Sequence, residues 1–136
     1  MALKITLKPG ERMILSGAVV TNGSGGSCDL VVENKVPILR QKDILTEEKA
    51  DSPCRRIYLA VQLMYIDEAN LPTYHKAFWE MAADVVKAAP RTVGLIDGIS
   101  EMILQRNYYQ ALKLTKRLID YEQEVLQRVP GSVENV

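Results

Sequence analysis

The chain has 136 residues, of which 47% are apolar, and its 17 lysine and arginine residues balance 17 aspartate and glutamate residues. This length and composition indicate one globular domain and exclude an intrinsically disordered chain. The formal net charge of zero also excludes binding to polyanions by bulk attraction, so a nucleic-acid site would have to be a local patch of cations.

The alternating pattern of β-strands occupies the first 45 residues. Leu3, Ile5 and Leu7 alternate with polar residues, and Pro9-Gly10 marks a turn. Further strands are predicted over residues 12–20 and 27–33, joined by a flexible, hairpin-like, glycine-rich linker at 22–26, with a short edge strand over 37–39. This part therefore predicts a small antiparallel sheet.

From residue 46 to residue 130 the apolar residues recur at helical spacing. Ser52 is expected to cap a central, buried helix that begins at Pro53 and ends near residue 67. A second helix is predicted from Asn70 to Pro90, a third is capped by Thr92, and the last begins near residue 107. We predict that it stops at residues 130–131, before a frayed tail over 131–136.

The predicted fold class is α+β, with the N-terminal sheet packed on a C-terminal bundle of three to four helices. A sheet of 45 residues is marginal alone, so we predict that residues 1–136 form a single domain.

The sequence shows no membrane-spanning run of about 18 apolar residues and no apolar signal-peptide core near its start. We therefore predict a cytoplasmic protein that does not bind membranes. Cys28 and Cys54 form no CxxC motif, and His75 is the single histidine, so we predict two reduced structural thiols and no metal site.

Catalytic signatures are mostly absent. The glycines at 23, 25 and 26 lack the third glycine of a dinucleotide fingerprint and lead into a strand rather than a helix. His75 has no sequence signature of a nucleophile beside it, so a packed or surface histidine is favoured over a general base. We predict no catalytic residue and no cofactor. Gly94 and Gly98 favour close helix packing within the chain, with a homodimer seam as the alternative.

Basic residues near the C-terminus offer one local patch. Arg106, Lys113 and Arg117 follow one another at spacings of seven and four, which places them on one stripe of the last helix, with Lys116 alongside and Tyr109 close by. Cations that follow phosphates and an aromatic ring that stacks on an unpaired base are typical of proteins that bind single-stranded RNA.

The residues alone favour a different interpretation of the same patch. Lys116 can pair with Asp120, and Arg117 with Asp120 or Tyr121, which would make a solvated, salt-bridged surface. Two further basic pairs lie at positions 40 with 42 and 55 with 56.

Three ordered blocks of sequence carry a family resemblance. They read LKITLKPGERMILSGAVVTNG, PILRQKDIL and SPCRRIYLAVQLMYID, and they resemble the FlbT family of flagellum biosynthesis regulators in alphaproteobacteria. The later block RNYYQALKLTKRLIDYE is similar to the C-terminal helix of that family. The resemblance implies a post-transcriptional regulator that associates with the 5′ untranslated region of flagellin mRNA and promotes its degradation. Some members are positive regulators, so the resemblance does not imply the sign of regulation.

The resemblance implies no catalytic constellation and transfers only candidate RNA contacts in the matching blocks. These are the basic residues Arg40, Lys42, Arg55, Arg56, Arg106, Lys113, Lys116 and Arg117. The helix patch adds Tyr109 as a candidate for stacking on a base. One departure concerns residues 24–27, which read SGGS where members of the family often carry charged, arginine-containing residues. If that segment contacts RNA in relatives, this chain has lost part of the contact.

Two functional hypotheses follow. The first is a non-enzymatic RNA-binding repressor whose partner is the flagellin mRNA leader. The second is an adaptor that binds flagellin or the companion regulator FlaF, with an indirect effect on mRNA, because an apolar helical groove can receive an amphipathic helix without positive charge.

Overall fold

The computed structural model describes residues 2–134, and the chain divides after Ile44 into two compact units. The first unit contains the strands and the second contains four long helices, which confirms the predicted α+β class. Four short 3₁₀ helices complete the described chain, at Gln41–Asp43, Glu47–Lys49, Glu68–Asn70 and Pro90–Thr92. The single cooperative domain stays a prediction.

The first unit consists of two small antiparallel sheets rather than one. Strand β1 (Leu3–Leu7) pairs with β4 (Cys28–Val32), and β2 (Arg12–Leu15) pairs with both β3 (Ala18–Thr21) and β5 (Ile38–Arg40). A shared apolar cluster lies between them, with these three buried members: Ile5, Leu7 and Met13. Burial of this face explains the alternation in β1.

A tight turn interrupts the strand that we predicted over residues 12–20, and that prediction is wrong. Ser16 and Gly17 connect β2 to β3 with φ values of 51° and 88°. Two consecutive positive φ values match the twist of a two-residue β-hairpin. The Ser-Gly pair is itself a turn signal, which was available in the sequence.

The glycine-rich segment 22–26 does not join a hairpin, because β3 and β4 belong to different sheets. The buried Asn22 organises it. The Asn22 amide donates hydrogen bonds to the carbonyl oxygens of Leu7 and Gly26, both at 2.9 Å, and its Oδ1 accepts one from the Ser24 amide at 2.9 Å. The segment is therefore a connection between sheets that one side chain holds.

The second unit is a bundle of α1 (Pro53–Ile66), α2 (Leu71–Ala88), α3 (Val93–Leu104) and α4 (Tyr108–Glu134). Helix α1 packs against α2 and α4, and α4 also packs against α3. The central position predicted for α1 is confirmed, since its Ile57, Val61 and Met64 are fully buried. None of the described helices combines the length and apolar character needed to cross a membrane.

The predicted start of α1 is confirmed in detail. Ser52 has extended backbone geometry, and its hydroxyl accepts a hydrogen bond from the Arg55 amide at 3.2 Å. The cap predicted at Thr92 is wrong. Thr92 already has helical φ and ψ, because it closes a 3₁₀ turn, and its hydroxyl donates to the Ala89 carbonyl instead. A capping side chain needs an extended backbone to reach the helix amides.

Helix α4 continues to Glu134, past residues 130 and 131 where the sequence predicted its end. A proline removes one hydrogen-bond donor and bends a helix, but it does not by itself terminate one. The last two residues of the predicted frayed tail lie outside the described residues.

The two glycines of α3 differ in their surroundings. A Cβ at Gly98 would lie 3.4 Å from Leu114 Cδ1 of α4, whereas a Cβ at Gly94 would meet nothing within 4 Å. Gly98 therefore supports the favoured packing within the chain.

Candidate nucleic-acid interface

One face of α4 presents an exposed row of an aromatic and two cationic side chains. Tyr109, Lys113 and Arg117 are spaced four residues apart, and all three are exposed. Lys113 Nζ lies 5.1 Å from the centroid of the Tyr109 ring. Such a cation–π contact at an exposed site contributes only about 0.5–1 kcal/mol, so another partner can replace it.

The salt-bridged alternative is not realised at Arg117. Of the ion pairs between described side chains, none joins Arg117 to Asp120. Lys116 differs, because it is half-buried and takes part in interactions of the fold. Among the α4 side chains that the structure describes, the exposed cations are therefore Lys113 and Arg117.

Arg106 does not lie on the helical stripe where the sequence placed it, and that prediction is wrong. It follows α3 with a φ of 60°, its amide donates to the Ile103 carbonyl at 2.9 Å, and the Asn107 amide donates to the Met102 carbonyl at 2.8 Å. These two bonds form the Schellman motif that ends many helices. A residue in the left-handed conformation breaks the helix, so the spacing of seven to Lys113 does not align the two side chains.

Tyr65 belongs to the same area and was missed by the sequence analysis. It lies in the last turn of α1, and its ring centroid is 6.0 Å from that of Tyr109 with an interplanar angle of 45°. Aromatic pairs at this separation attract one another. No periodic pattern in α1 marks Tyr65, because the contact depends on the pairing of two helices that are distant in sequence.

At the N-terminal end of α1, a charged side chain of α4 forms hydrogen bonds within the protein. The Glu122 carboxylate of α4 accepts hydrogen bonds from the Ser52 hydroxyl at 2.5 Å and from the Cys54 amide at 3.1 Å. A carboxylate at a helix N-terminus is favourable for the helix dipole. Burial, with a contribution from Glu122, raises the pKa of the Cys54 thiol to about 12, so Cys54 is a protonated, structural thiol at neutral pH.

The two arginines at the start of α1 differ in their interactions with other side chains. Arg55 forms an ion pair with Asp51 at 3.0 Å and donates to the Gln123 Oε1 at 3.0 Å. Arg56 is exposed. About ten residues of helix separate this pair from Tyr65, which corresponds to roughly 15 Å along the axis. The structure therefore does not bring Arg55 and Arg56 to the Tyr109 end.

The remaining two candidates belong to the first unit. Arg40 donates a hydrogen bond to the Thr6 carbonyl at 2.9 Å and lies 3.9 Å from the Glu11 carboxylate. Lys42 is exposed in the 3₁₀ helix Gln41–Asp43. Arg40 thus holds β5 to β1, whereas Lys42 points its charge to solvent.

His75 is half-buried beside Tyr108, whose hydroxyl lies 3.5 Å from the His75 Nε2. Burial raises the pKa of Tyr108, although the nearby charge of Arg106 opposes the rise. Among the side chains that the structure describes, no group of three or more from histidine, cysteine, aspartate or glutamate is placed to hold a metal ion. The environment of His75 agrees with the favoured packed histidine.

An apolar groove of about 350 Å³ lies on another face of the helical unit, between the start of α1, the end of α2 and α4. Its apolar lining includes Pro53, Cys54, Val85, Ala88, Val125 and Leu126. A groove of this kind is what the adaptor hypothesis requires.

Comparison with known proteins identifies a family profile and relatives that this chain resembles. The sequence profile described as "Flagellar protein FlbT" matches residues 3–126. The "Probable flagellum biosynthesis repressor protein FlbT 1" of Bradyrhizobium diazoefficiens is 42% identical over 92% of this chain and 85% of its own length. The "Probable flagellum biosynthesis repressor protein FlbT" of Caulobacter vibrioides is 39% identical over 98% of this chain and 95% of its own.

A third relative extends the match to a whole protein. The "Probable flagellum biosynthesis repressor protein FlbT" of Rhodopseudomonas palustris is 38% identical over 94% of this chain and all of its own length. No solved structure matches the chain. The profile and the relatives cover both the strand unit and the helical unit, so the chain belongs to the FlbT family of flagellar proteins, a family of flagellum biosynthesis repressors rather than of enzymes.

Proposed function

We propose that this protein represses flagellum synthesis in the cytoplasm by binding the 5′ untranslated region of flagellin mRNA and promoting degradation of the message. The observation that carries the proposal is the exposed row of Tyr109, Lys113 and Arg117 on α4. Two exposed cations on one helix face can follow neighbouring phosphates, and the exposed ring can stack on a base. The names of the relatives support the role of a repressor. In this proposal, separate ribonucleases cleave the message.

Local charge decides whether the row can act in a protein of zero net charge. Screening at physiological salt has a length of about 8 Å, so a phosphate in contact with Lys113 or Arg117 interacts mainly with nearby groups. Asp120 is the carboxylate that helical spacing offers to Arg117, but the two side chains form no ion pair within the described structure. A balanced total charge is therefore compatible with a cationic contact here.

A gel-shift titration with purified full-length protein and a flagellin leader RNA tests the proposal. We expect affinity to fall as salt rises, and we expect the double variant Lys113→Gln with Arg117→Gln to bind at least tenfold more weakly. The charge-matched control Lys76→Gln with Lys87→Gln, on the exposed face of α2, should bind like the unmodified protein. Equal affinities for all three proteins would remove the row from the binding site.

The apolar groove favours a second candidate function, an adaptor that binds flagellin or FlaF. Its volume of about 350 Å³ suits the apolar side chains of an amphipathic helix. A pull-down of purified flagellin after ribonuclease treatment tests it, with Ala88→Arg as a variant that fills the exposed edge of the groove. Retention by the unmodified protein and loss in Ala88→Arg would support the adaptor; no retention would contradict it.

A further inference from the structure

Tyr109 stands apart from the other tyrosines of the chain. All six lie in the described part of the protein, and Tyr109 is the one whose side chain is exposed, with 37% of its surface accessible. One ring neighbour is the half-buried Tyr65, at a centroid distance of 6.0 Å and 45°. The other is the ammonium group of Lys113, at 5.1 Å from the centroid.

We propose that Tyr109, Lys113 and Tyr65 form a subsite for a single RNA base. An unpaired base stacks on the Tyr109 ring, and Lys113 moves from the ring to the adjacent phosphate. Tyr65 is a positioning residue that fixes the tilt of the Tyr109 ring. The proposal rests on the proposed function, because it names the form of RNA that the row on α4 recognises. It makes the protein selective for single-stranded segments of the leader.

The exchange at the ring follows from the strengths of the competing contacts. A cation over an exposed ring is held weakly, since water solvates the ammonium group well. Stacking of a base on an aromatic ring is stronger, and a phosphate gives the released ammonium a charged hydrogen-bond partner. When RNA binds, the Lys113 ammonium group therefore exchanges a weak contact with the ring for a charged hydrogen bond to phosphate. The Tyr109 ring in turn exchanges the ammonium group for a stronger stacking contact with the base.

The geometry also explains why a duplex would be excluded. Bases within a helix are stacked on their neighbours, so the ring can reach a base only where the strand is unpaired. Lys113 and Arg117 can contact the phosphates of either form. Base stacking at Tyr109 is thus the contact that separates single strands from duplexes, whereas the cations add affinity to both.

Fluorescence anisotropy with full-length protein tests the subsite, using one leader oligonucleotide alone and annealed to its complement. We expect the single strand to bind at least five-fold more tightly, and Tyr109→Leu to abolish that ratio while Tyr109→Phe preserves it. Tyr65→Ala should lower the ratio and Tyr65→Phe should restore it, because the positioning contact needs the ring and not the hydroxyl.

A parallel measurement separates failure of the subsite from failure of the proposed function. Lys113→Gln with Arg117→Gln should weaken binding to the single strand and to the duplex alike. If neither RNA binds the unmodified protein, the proposed function fails and the subsite fails with it. If both bind with equal affinity, or if Tyr109→Leu keeps the preference for single strands, the subsite is wrong while RNA binding stands. Should Tyr109→Leu not fold, abasic nucleotides in the single strand provide the same comparison, since they must reduce its affinity to that of the duplex.

Discussion

The two ends of the antiparallel pair formed by α1 and α4 contain similar residue types but use them differently. At one end Glu122 caps α1, and Arg55 is engaged by Asp51 and Gln123. At the other end Lys113 lies over the exposed Tyr109 ring, a contact that is weak at an exposed site. A count of cations does not distinguish these ends, whereas the partners of each cation do. The comparison predicts that mutation of Glu122 changes stability and that mutations of Lys113 and Arg117 change RNA binding.

The largest expected effect is at the cap. Glu122→Ala leaves the buried Cys54 amide without its acceptor and removes a carboxylate from the N-terminus of α1, so we expect a loss of about 2 kcal/mol in the free energy of unfolding. Urea denaturation measures it. Glu80→Ala, on the exposed face of α2, should change the same quantity by less than about 0.5 kcal/mol. An equal loss in both variants would show that Glu122 is not a structural cap.

The next effect concerns RNA affinity and its salt dependence. Lys113→Gln with Arg117→Gln should reduce the slope of log affinity against log salt by about 1.4, since each lost phosphate contact with a single strand accounts for about 0.7. Arg55→Gln should leave the slope unchanged, because its guanidinium is engaged by protein groups. A larger loss of slope in Arg55→Gln than in the double variant would reverse the assignment of the two ends.

A smaller effect is expected at the turn between α3 and α4. Arg106 has a φ of 60°, a conformation that costs an L-residue about 1–2 kcal/mol and costs glycine nothing. Allowing for the greater chain entropy of glycine, Arg106→Gly should raise the free energy of unfolding by up to about 1 kcal/mol. Gln105→Gly is the matched control, since Gln105 has a φ of −82° and gains nothing from glycine. Destabilisation by Arg106→Gly would show that its side chain matters more to the fold than its backbone does.

The smallest effect is a pH dependence at the Tyr109 end of α1. A hydrogen bond from the Tyr74 hydroxyl, with another from Asn70, lowers the pKa of Asp67 at the end of α1. A lowered pKa means that the ionised form is favoured by folding. The resulting stability is present above the ordinary pKa of 3.8 and is lost as pH falls through the lower, folded value. Acid titration monitored by circular dichroism should show a weaker decline in Asp67→Asn, and an unchanged decline would assign the acid sensitivity to other carboxylates.

Local patterns in the sequence were sufficient for features that depend on neighbouring residues. The alternation in β1, the Ser52 cap and the start of α2 at Leu71 each follow from side chains within a few positions. The Ser16-Gly17 turn is equally local, but it lies inside a longer apolar run that by itself predicts one continuous strand. Such features are predictable because the interaction that fixes them is short in sequence.

The candidate site was harder to predict because its parts come from distant segments. Tyr65 contacts Tyr109 across 44 positions, and Glu122 caps α1 from 68 positions beyond the Cys54 amide. Helical spacing correctly predicts Lys113 and Arg117 on one face of α4, with Tyr109 close by. It failed at Arg106, since spacing assumes a continuous helix and a left-handed residue interrupts it.

Ultraviolet crosslinking of purified full-length protein to a flagellin leader RNA, with the crosslinked peptides identified by mass spectrometry, tests directly whether this face of α4 contacts the message. We expect crosslinks on the α4 segment that contains Tyr109, and we expect Tyr109→Leu to lose them. Crosslinks confined to the start of α1 or to the strand unit, or none at all from a protein that still retains flagellin, would contradict direct binding of the message by this face of α4.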